Sequence, residues 1–143
     1  MKRSKILRIL DANFNRSREG LRVCEEITRF VMEDEALTQE FKKIRHAVSG
    51  CLKKFPGSSF ELVAARDVRR DVGKNSSRSE KARQGPAEIF LANAERVKES
   101  LRVLEETSKL LHKKTADELK KIRFRTYVIE KKVLKKLEAL RYH

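Results

Sequence analysis

Apolar residues recur every three to four positions along most of this chain, the period of one face of an α-helix. In the first stretch Ile9, Ala12, Leu21, Cys24, Ile27, Phe30 and Val31 fall on one wide arc at ~100° per residue, with Arg18, Arg22, Glu25 and Arg29 opposite. The pattern predicts an amphipathic helix from near Ser4, whose hydroxyl suits an N-cap, to about Met32. Glu33-Asp34-Glu35 supplies a turn and the acidic start of a second helix, along which Leu37, Phe41, Ile44, Val48 and Leu52 recur to about Lys54. Pro86 suits the first turn of a third helix reaching about His112. Thr115-Ala116-Asp117-Glu118 reads as a capping box opening a fourth, which carries Leu119, Ile122, Ile129, Val133, Leu137 and Leu140.

The first and third of these helices share more than a period. Both read A-N-x-x-R-x-x-E-x-L-R-V-x-E-E, which sets Asn13, Arg16, Glu19, Arg22, Glu25 and Glu26 against Asn93, Arg96, Glu99, Arg102, Glu105 and Glu106. Further on, Glu40-Phe-Lys-Lys-Ile-Arg45 is echoed by Glu118-Leu-Lys-Lys-Ile-Arg123. The expected fold is therefore all-α, a duplicated helical hairpin of four main helices with pseudo-two-fold symmetry and a long central loop. We take it as one domain over residues 1–143, with repeat 1 at about 4–55, the loop at about 56–85 and repeat 2 at about 86–141.

The loop is bracketed by Pro56 and Pro86, the two prolines of the chain, and holds a Gly57-Ser-Ser turn and the polar run Gly73 to Glu80. A short helix or strand at Glu61 to Arg66 fits its few apolar residues. A connection of this length is either a binding loop or a basic linker, and composition leaves both open.

Charge narrows the partners. The chain carries a formal charge of +14, with 39% charged residues and 6% aromatic, so an anionic ligand is expected: nucleic acid, an acidic surface or a phosphorylated small molecule. No apolar run approaches the ~20 residues that span a bilayer. The N-terminus lacks a signal-peptide pattern, and the expected location is cytoplasmic. Cys24 and Cys51 sit at apolar helical positions without metal-ligand spacing and read as small core residues.

Helical phase picks out the repeated Asn and Arg. With Asn13 at zero, Arg16 falls at ~300°, among Ile9, Ile27 and Phe30, and Asn93 with Arg96 repeats the geometry among Ile89, Val103 and Leu110. Inward polar groups need partners. They are either internal locks on helix register or, related by a pseudo-dyad, four groups lining one central cleft suited to phosphate. Glu25 and Glu105 read as members of solvated i, i+3 and i, i+4 pairs. Glu19 and Glu26 lie nearer the Arg16 edge and are candidates either to hold Mg²⁺ or to position a basic residue. In the loop, Ala65-Arg-Asp-Val-Arg-Arg-Asp-Val-Gly73 is either a charged turn or a closing segment, with Arg66 on phosphate, Asp67 or Asp71 on Mg²⁺ or a proton, and Gly73 free to take positive φ. Gly73-Lys74 is no P-loop, since Val68 and Asn75 stand where that motif needs Gly and Ser/Thr. His46 reads as a packed or capping histidine. Arg123, Tyr127 and Glu130 read as cleft-bordering groups or as an interhelical lock.

Taken in order, I-L-D-A-N-F-N-R-S-R-E-G-L-R-V-C-E-E, then K-K-I-R-H, A-A-R-D-V-R-R-D-V-G and the second A-N-x-x-R-x-x-E-x-L-R-V-L-E-E resemble a thiamin-biosynthesis domain. That domain occurs alone or fused ahead of thiamin phosphate synthase and is described as a monofunctional hydroxymethylpyrimidine phosphate kinase. The resemblance implies ATP-dependent phosphorylation of the pyrimidine monophosphate to the diphosphate, with Mg²⁺. Its pattern falls on Asn13, Arg16, Glu19, Gly20, Arg22 and Glu26, on Arg45 and His46, on Arg66, Asp67, Asp71 and Gly73, and on Asn93, Arg96, Glu99 and Arg102. Arg69-Arg70 departs from it.

Chemistry and resemblance together give Arg16, Arg66, Asp67 and Asp71 as catalytic candidates. Asn13, Arg16, Arg22, Arg45, Asn93, Arg96 and Gly73 are expected on substrate phosphate, with Glu19 and Glu26 on metal. ATP is the expected co-substrate. The expected partners are a phosphorylated pyrimidine, thiamin phosphate synthase and a second copy of the chain, with no membrane. The competing readings are a non-catalytic module that binds thiamin precursors and a basic helical nucleic-acid-binding protein. Basic residues interleaved with Glu along all four helices count against the second.

Overall fold

The computed structural model describes residues 3–55, 58–73 and 82–140. Among these, all regular structure is helical: α1 (Arg3–Glu26), extended by a π-helical turn (Ile27–Val31), α2 (Glu35–Leu52), α3 (Ser58–Ala65), α4 (Pro86–Ser108) and α5 (Lys113–Ala139). The long helices pack in the cyclic order α1, α2, α5, α4. Going up α1 from Ser17 through Gly20 to Cys24 goes down α4 from Ser100 through Val97 to Phe90, so the two copies of the repeat cross antiparallel. Phe14, Leu21, Phe41, Val48, Phe90, Leu101, Leu119 and Ile129 fill the centre. The structure describes neither Pro56 and Gly57 nor the polar run from Lys74 to Glu80, so those expectations lie outside the described residues.

The duplication is physical as well as textual. Asn13 and Asn93 each donate from Nδ2 to the carbonyl four residues back, Ile9 and Ile89, both at 2.8 Å. Glu25 receives Arg45 at 3.2 Å and Glu105 receives Arg123 at 2.9 Å, each carboxylate also facing the arginine three residues before it. Both carboxylates are buried, which corrects their reading as solvated helix-face residues. A single apolar stripe identifies one packed side, whereas α1 packs on α4, α2 and α3 together. Each second helix of a hairpin covers the acid and brings the arginine that pairs with it.

Three helix ends differ from expectation. The fourth helix starts at Lys113 with His112 as N-cap, its Nδ1 accepting from the Thr115 amide at 3.2 Å. Thr115 is buried inside the first turn and Glu118 pairs instead with Lys54, so the Thr115–Glu118 capping box does not form. The third helix ends at Ser108 rather than His112. In the first hairpin the offset between the copies falls from 80 at Glu25/Glu105 to 78 at Arg45/Arg123, so repeat 1 holds two more residues at this junction. They are taken up by the π turn and by Glu33, whose φ of 52° lies in the left-handed region. The π turn shifts the helical phase, and Phe30 projects into solvent at 63% exposure instead of facing the core. Ile9 is likewise exposed.

Candidate functional site

The N-terminal half of α1 places Lys5, Arg8, Ala12 and the adjacent Asn15 and Arg16 at steps of three to four residues, and hence on one side of the helix. That side, together with the segment following α3, encloses a cleft of about 630 Å³, which Asp11, Arg66, Asp67, Val68 and Asp71 also line. The segment stays on α1 through one strong contact. Arg66 donates from Nε to Oδ2 of Asp11 at 2.6 Å and from Nη2 to Oδ1 at 2.9 Å, a side-on bidentate pair. Arg8 adds a bond from Nη2 to the Asp67 carbonyl at 3.4 Å, and the buried Leu62 anchors α3 in the core. The turn is shaped from within: Asp67 accepts from the Arg70 amide at 3.2 Å and Asp71 from the Gly73 amide at 3.0 Å. Gly73 itself stays outside the left-handed region, so the expected positive φ is not used.

Four cations, Lys5, Arg8, Arg16 and Arg66, share the cleft with three carboxylates. Asp11 is occupied by Arg66, whose guanidinium is held above its ordinary pKa by the hydrogen bond to that carboxylate and by its charge. Arg16 is exposed at the rim rather than turned into the core, and donates from Nη1 to the Asn13 amide oxygen at 3.4 Å. Its long side chain leaves the arc that its Cα occupies and carries the charge out to water. Ile9, Ala12 and Val68 supply apolar wall. A ligand matching this lining carries negative charge at one part and an apolar surface at another.

The structure brings together Asn13, Arg16, Arg66, Asp67 and Asp71 and disperses the others. Arg22 and Arg45 border a second cleft of about 630 Å³ beside the π turn, with Arg29, Lys42 and four acids. Asn93 and Arg96 do not join Asn13 and Arg16. Since the helices cross at Ser17/Ser100, the Asn93 carbonyl lies against Gly20, seven residues or ~10 Å along α1 from Asn13. The central cleft of four convergent groups is therefore corrected: an antiparallel crossing sends equivalent residues to opposite ends. The two asparagines serve as locks on their own helices. Glu19 is exposed and Glu26 pairs with Arg22 at 3.4 Å. They stand ~10 Å apart along the axis, too far to share one ion. Among the described residues no three His, Cys, Asp or Glu side chains gather as a metal site. His46 is exposed. Arg123 bonds Glu105 and the Tyr127 hydroxyl, and Glu130 receives Lys98, which makes that group an interhelical lock.

Lys5, Arg8, Asp11 and Asn15 escaped the sequence reading. The repeat did contain a signal for Asp11: its counterpart is Leu91, 45% exposed. Positions where two otherwise matching copies differ mark what one half does alone. Both cysteines are buried, as expected. Burial, and after it the Glu118 charge, pushes the Cys51 thiol up to about 11, so neither position offers a thiolate. No described helix is long and apolar enough to cross a membrane.

Residues 8–132 match the model of the ThiD2 family. The chain is similar to thiamine-phosphate synthases of Synechocystis sp. (42% identity over 130 residues), Rhodopirellula baltica (35% over 136) and Thermosynechococcus vestitus (40% over 127). These alignments cover 90%, 94% and 88% of this chain but 36%, 36% and 34% of the relatives; the chain spans about a third of their length. No solved structure matches.

Proposed function

The chain belongs to the ThiD2 family, and from that membership we propose that it is a thiamin-biosynthetic kinase, converting hydroxymethylpyrimidine phosphate to the diphosphate with ATP. Thiamin biosynthesis is the setting its relatives support; the kinase step is our reading of the cleft. The observation that carries it is the gathering of Lys5, Arg8, Arg16 and Arg66 around one partly apolar cleft. The acceptor is a phosphate oxygen, already ionised near neutral pH, so the reaction needs charge neutralisation and alignment more than a strong base. Several cations with no free histidine among them suit that demand. Arg16 and Arg66 bind and orient phosphate groups, Lys5 and Arg8 neutralise charge, and Ile9, Ala12 and Val68 hold the ring.

Mg²⁺ fits the acids present. Asp71 commits one oxygen to the Gly73 amide, while Asp67 gives one oxygen to the Arg70 amide and faces the exposed Arg70 guanidinium with the other at 3.4 Å. Mg²⁺ in phosphoryl-transfer sites is held by one or two carboxylates plus substrate phosphates, so it would rest on Asp71 and displace Arg70 from Asp67. It would supply charge neutralisation across the transferring group. Asp67 and Asp71 take over the metal role assigned to Glu19 and Glu26 by sequence.

The test is formation of the pyrimidine diphosphate and ADP from purified protein, the monophosphate, ATP and Mg²⁺. Arg16→Ala should lower kcat/KM by ~10²-fold with unchanged helical circular dichroism. No diphosphate from the wild-type chain would end the kinase reading. Calorimetric binding of the monophosphate without ATP consumption would then support a non-catalytic precursor-binding module.

A further inference from the structure

The Asp11–Arg66 pair is more specific than loop attachment requires. Arg66 uses two of its five N–H donors on Asp11, those of Nε and one on Nη2, and among the described residues nothing accepts from Nη1. The guanidinium is thereby fixed in plane and orientation while half of it remains on the cleft wall. Asp11 is itself held. It sits 8% exposed in the middle of a long helix, and Asn15 donates to its Oδ1 at 3.4 Å.

The second half of the molecule supplies an internal control. Leu91 stands at the equivalent position, on a helix that among the described helices packs on α1, α5 and the π turn, whereas α1 also carries α3. The hairpin therefore folds without an acid there, and the acid in α1 serves the cleft.

We infer that Asp11 is a positioning residue for the proposed kinase: it clamps Arg66 side-on so that Nη1 is presented, pre-oriented, to the phosphate of the bound pyrimidine. This rests on the proposed function for the identity of the ligand, but the clamp itself does not. An arginine held by a rigid helical carboxylate loses little conformational freedom when phosphate arrives, so the clamp acts on substrate affinity. Lysine cannot replace Arg66, because a single ammonium cannot hold Asp11 side-on and contact phosphate in the same geometry.

Three variants of the full chain test it: Asp11→Asn, Arg66→Lys and the double substitution. Asp11→Asn should raise KM for hydroxymethylpyrimidine phosphate roughly tenfold with kcat within about twofold, the mark of lost uniform binding. Arg66→Lys, which also loses the Nη1 contact to phosphate, should lower kcat/KM at least as much. The double variant should be no worse than Arg66→Lys alone by more than about twofold, because without the guanidinium Asp11 has nothing left to position. Hydrogen exchange gives a readout that needs no turnover. Amides of residues 66–73 should lose protection equally in all three variants, while those of α4 and α5 keep theirs. Unchanged KM in Asp11→Asn, effects that multiply in the double variant, or wild-type exchange at 66–73 would overturn the clamp. Arg66 is exposed, so Arg66→Lys keeps the test usable if Asp11→Asn impairs folding. If the wild-type chain makes no diphosphate, the kinase reading falls and exchange alone decides the clamp.

Discussion

Gly20 sits on the face of α1 that packs tightly against α4, with no room for a methyl group. A Cβ built on it would lie 2.7 Å from Cγ2 of Val97 and 3.1 Å from the Asn93 carbonyl oxygen. The counterpart, Ser100, carries a hydroxyl that meets Ser17 at 2.7 Å across the same crossing. Gly20→Ala should gain the ~1 kcal/mol of helix propensity that alanine offers, but lose ~1–3 kcal/mol to overpacking because a backbone oxygen cannot rotate away. We expect a net destabilisation of ~1 kcal/mol, seen as a lower urea midpoint at unchanged m-value; a higher midpoint would mean that the helices separate at little cost. The sequence displayed this glycine within a matching motif, but the neighbour that forbids a methyl lies on the other copy.

Among the helices, α2 shows how an end is set by chemistry that sequence does reveal. Asp34 caps it, Oδ1 accepting from the Leu37 amide at 2.9 Å, and its other oxygen meets Lys136 of α5. The Leu37 amide first, and Lys136 after it, hold this carboxyl below the usual aspartate range. A depressed folded pKa contributes stability above the unfolded value of ~3.9 that is lost as pH falls through the folded one. Wild type should therefore exceed Asp34→Ala by ~1 kcal/mol or more at pH 6, the gap shrinking as pH drops below ~4. A gap unchanged down to pH 2 would show that the fold does not favour the ionised form. The start of α5 was misplaced because His112, at the position before it, caps as an imidazole, a role that Thr115 and Glu118 concealed by matching the commoner capping pattern.

At the scale of the molecule, the duplication generates two like hairpins and the connection between them makes one different. Among the described residues α1 receives α3 and residues 66–73, through Arg3–Glu61, Arg66–Asp11 and Arg8–Asp67. The connection thereby breaks the symmetry of the repeat. Arg16→Ala and Arg96→Ala, identical changes at equivalent repeat positions, should separate accordingly. The first should depress pyrimidine phosphate turnover by ~10²-fold, whereas the second should leave kcat/KM within about twofold; equal losses in both would restore a shared site across the crossing.

What the sequence determined by itself was everything carried by local period and by self-comparison: four long helices, their pairing into two hairpins, buried cysteines, the acidic start of α2 and the family resemblance. Those features depend on contacts within a helix or on residues matched to their own copy. Only the tertiary structure decided that Glu25 and Glu105 are buried, that Arg16 reaches water, that Arg22 and Arg45 belong to another cleft, and that Asp11 holds Arg66. Each of these depends on what a second or third helix brings to a face. A helical wheel records direction from one axis, whereas burial and pairing follow from how four antiparallel axes meet and which of them the connecting segment covers.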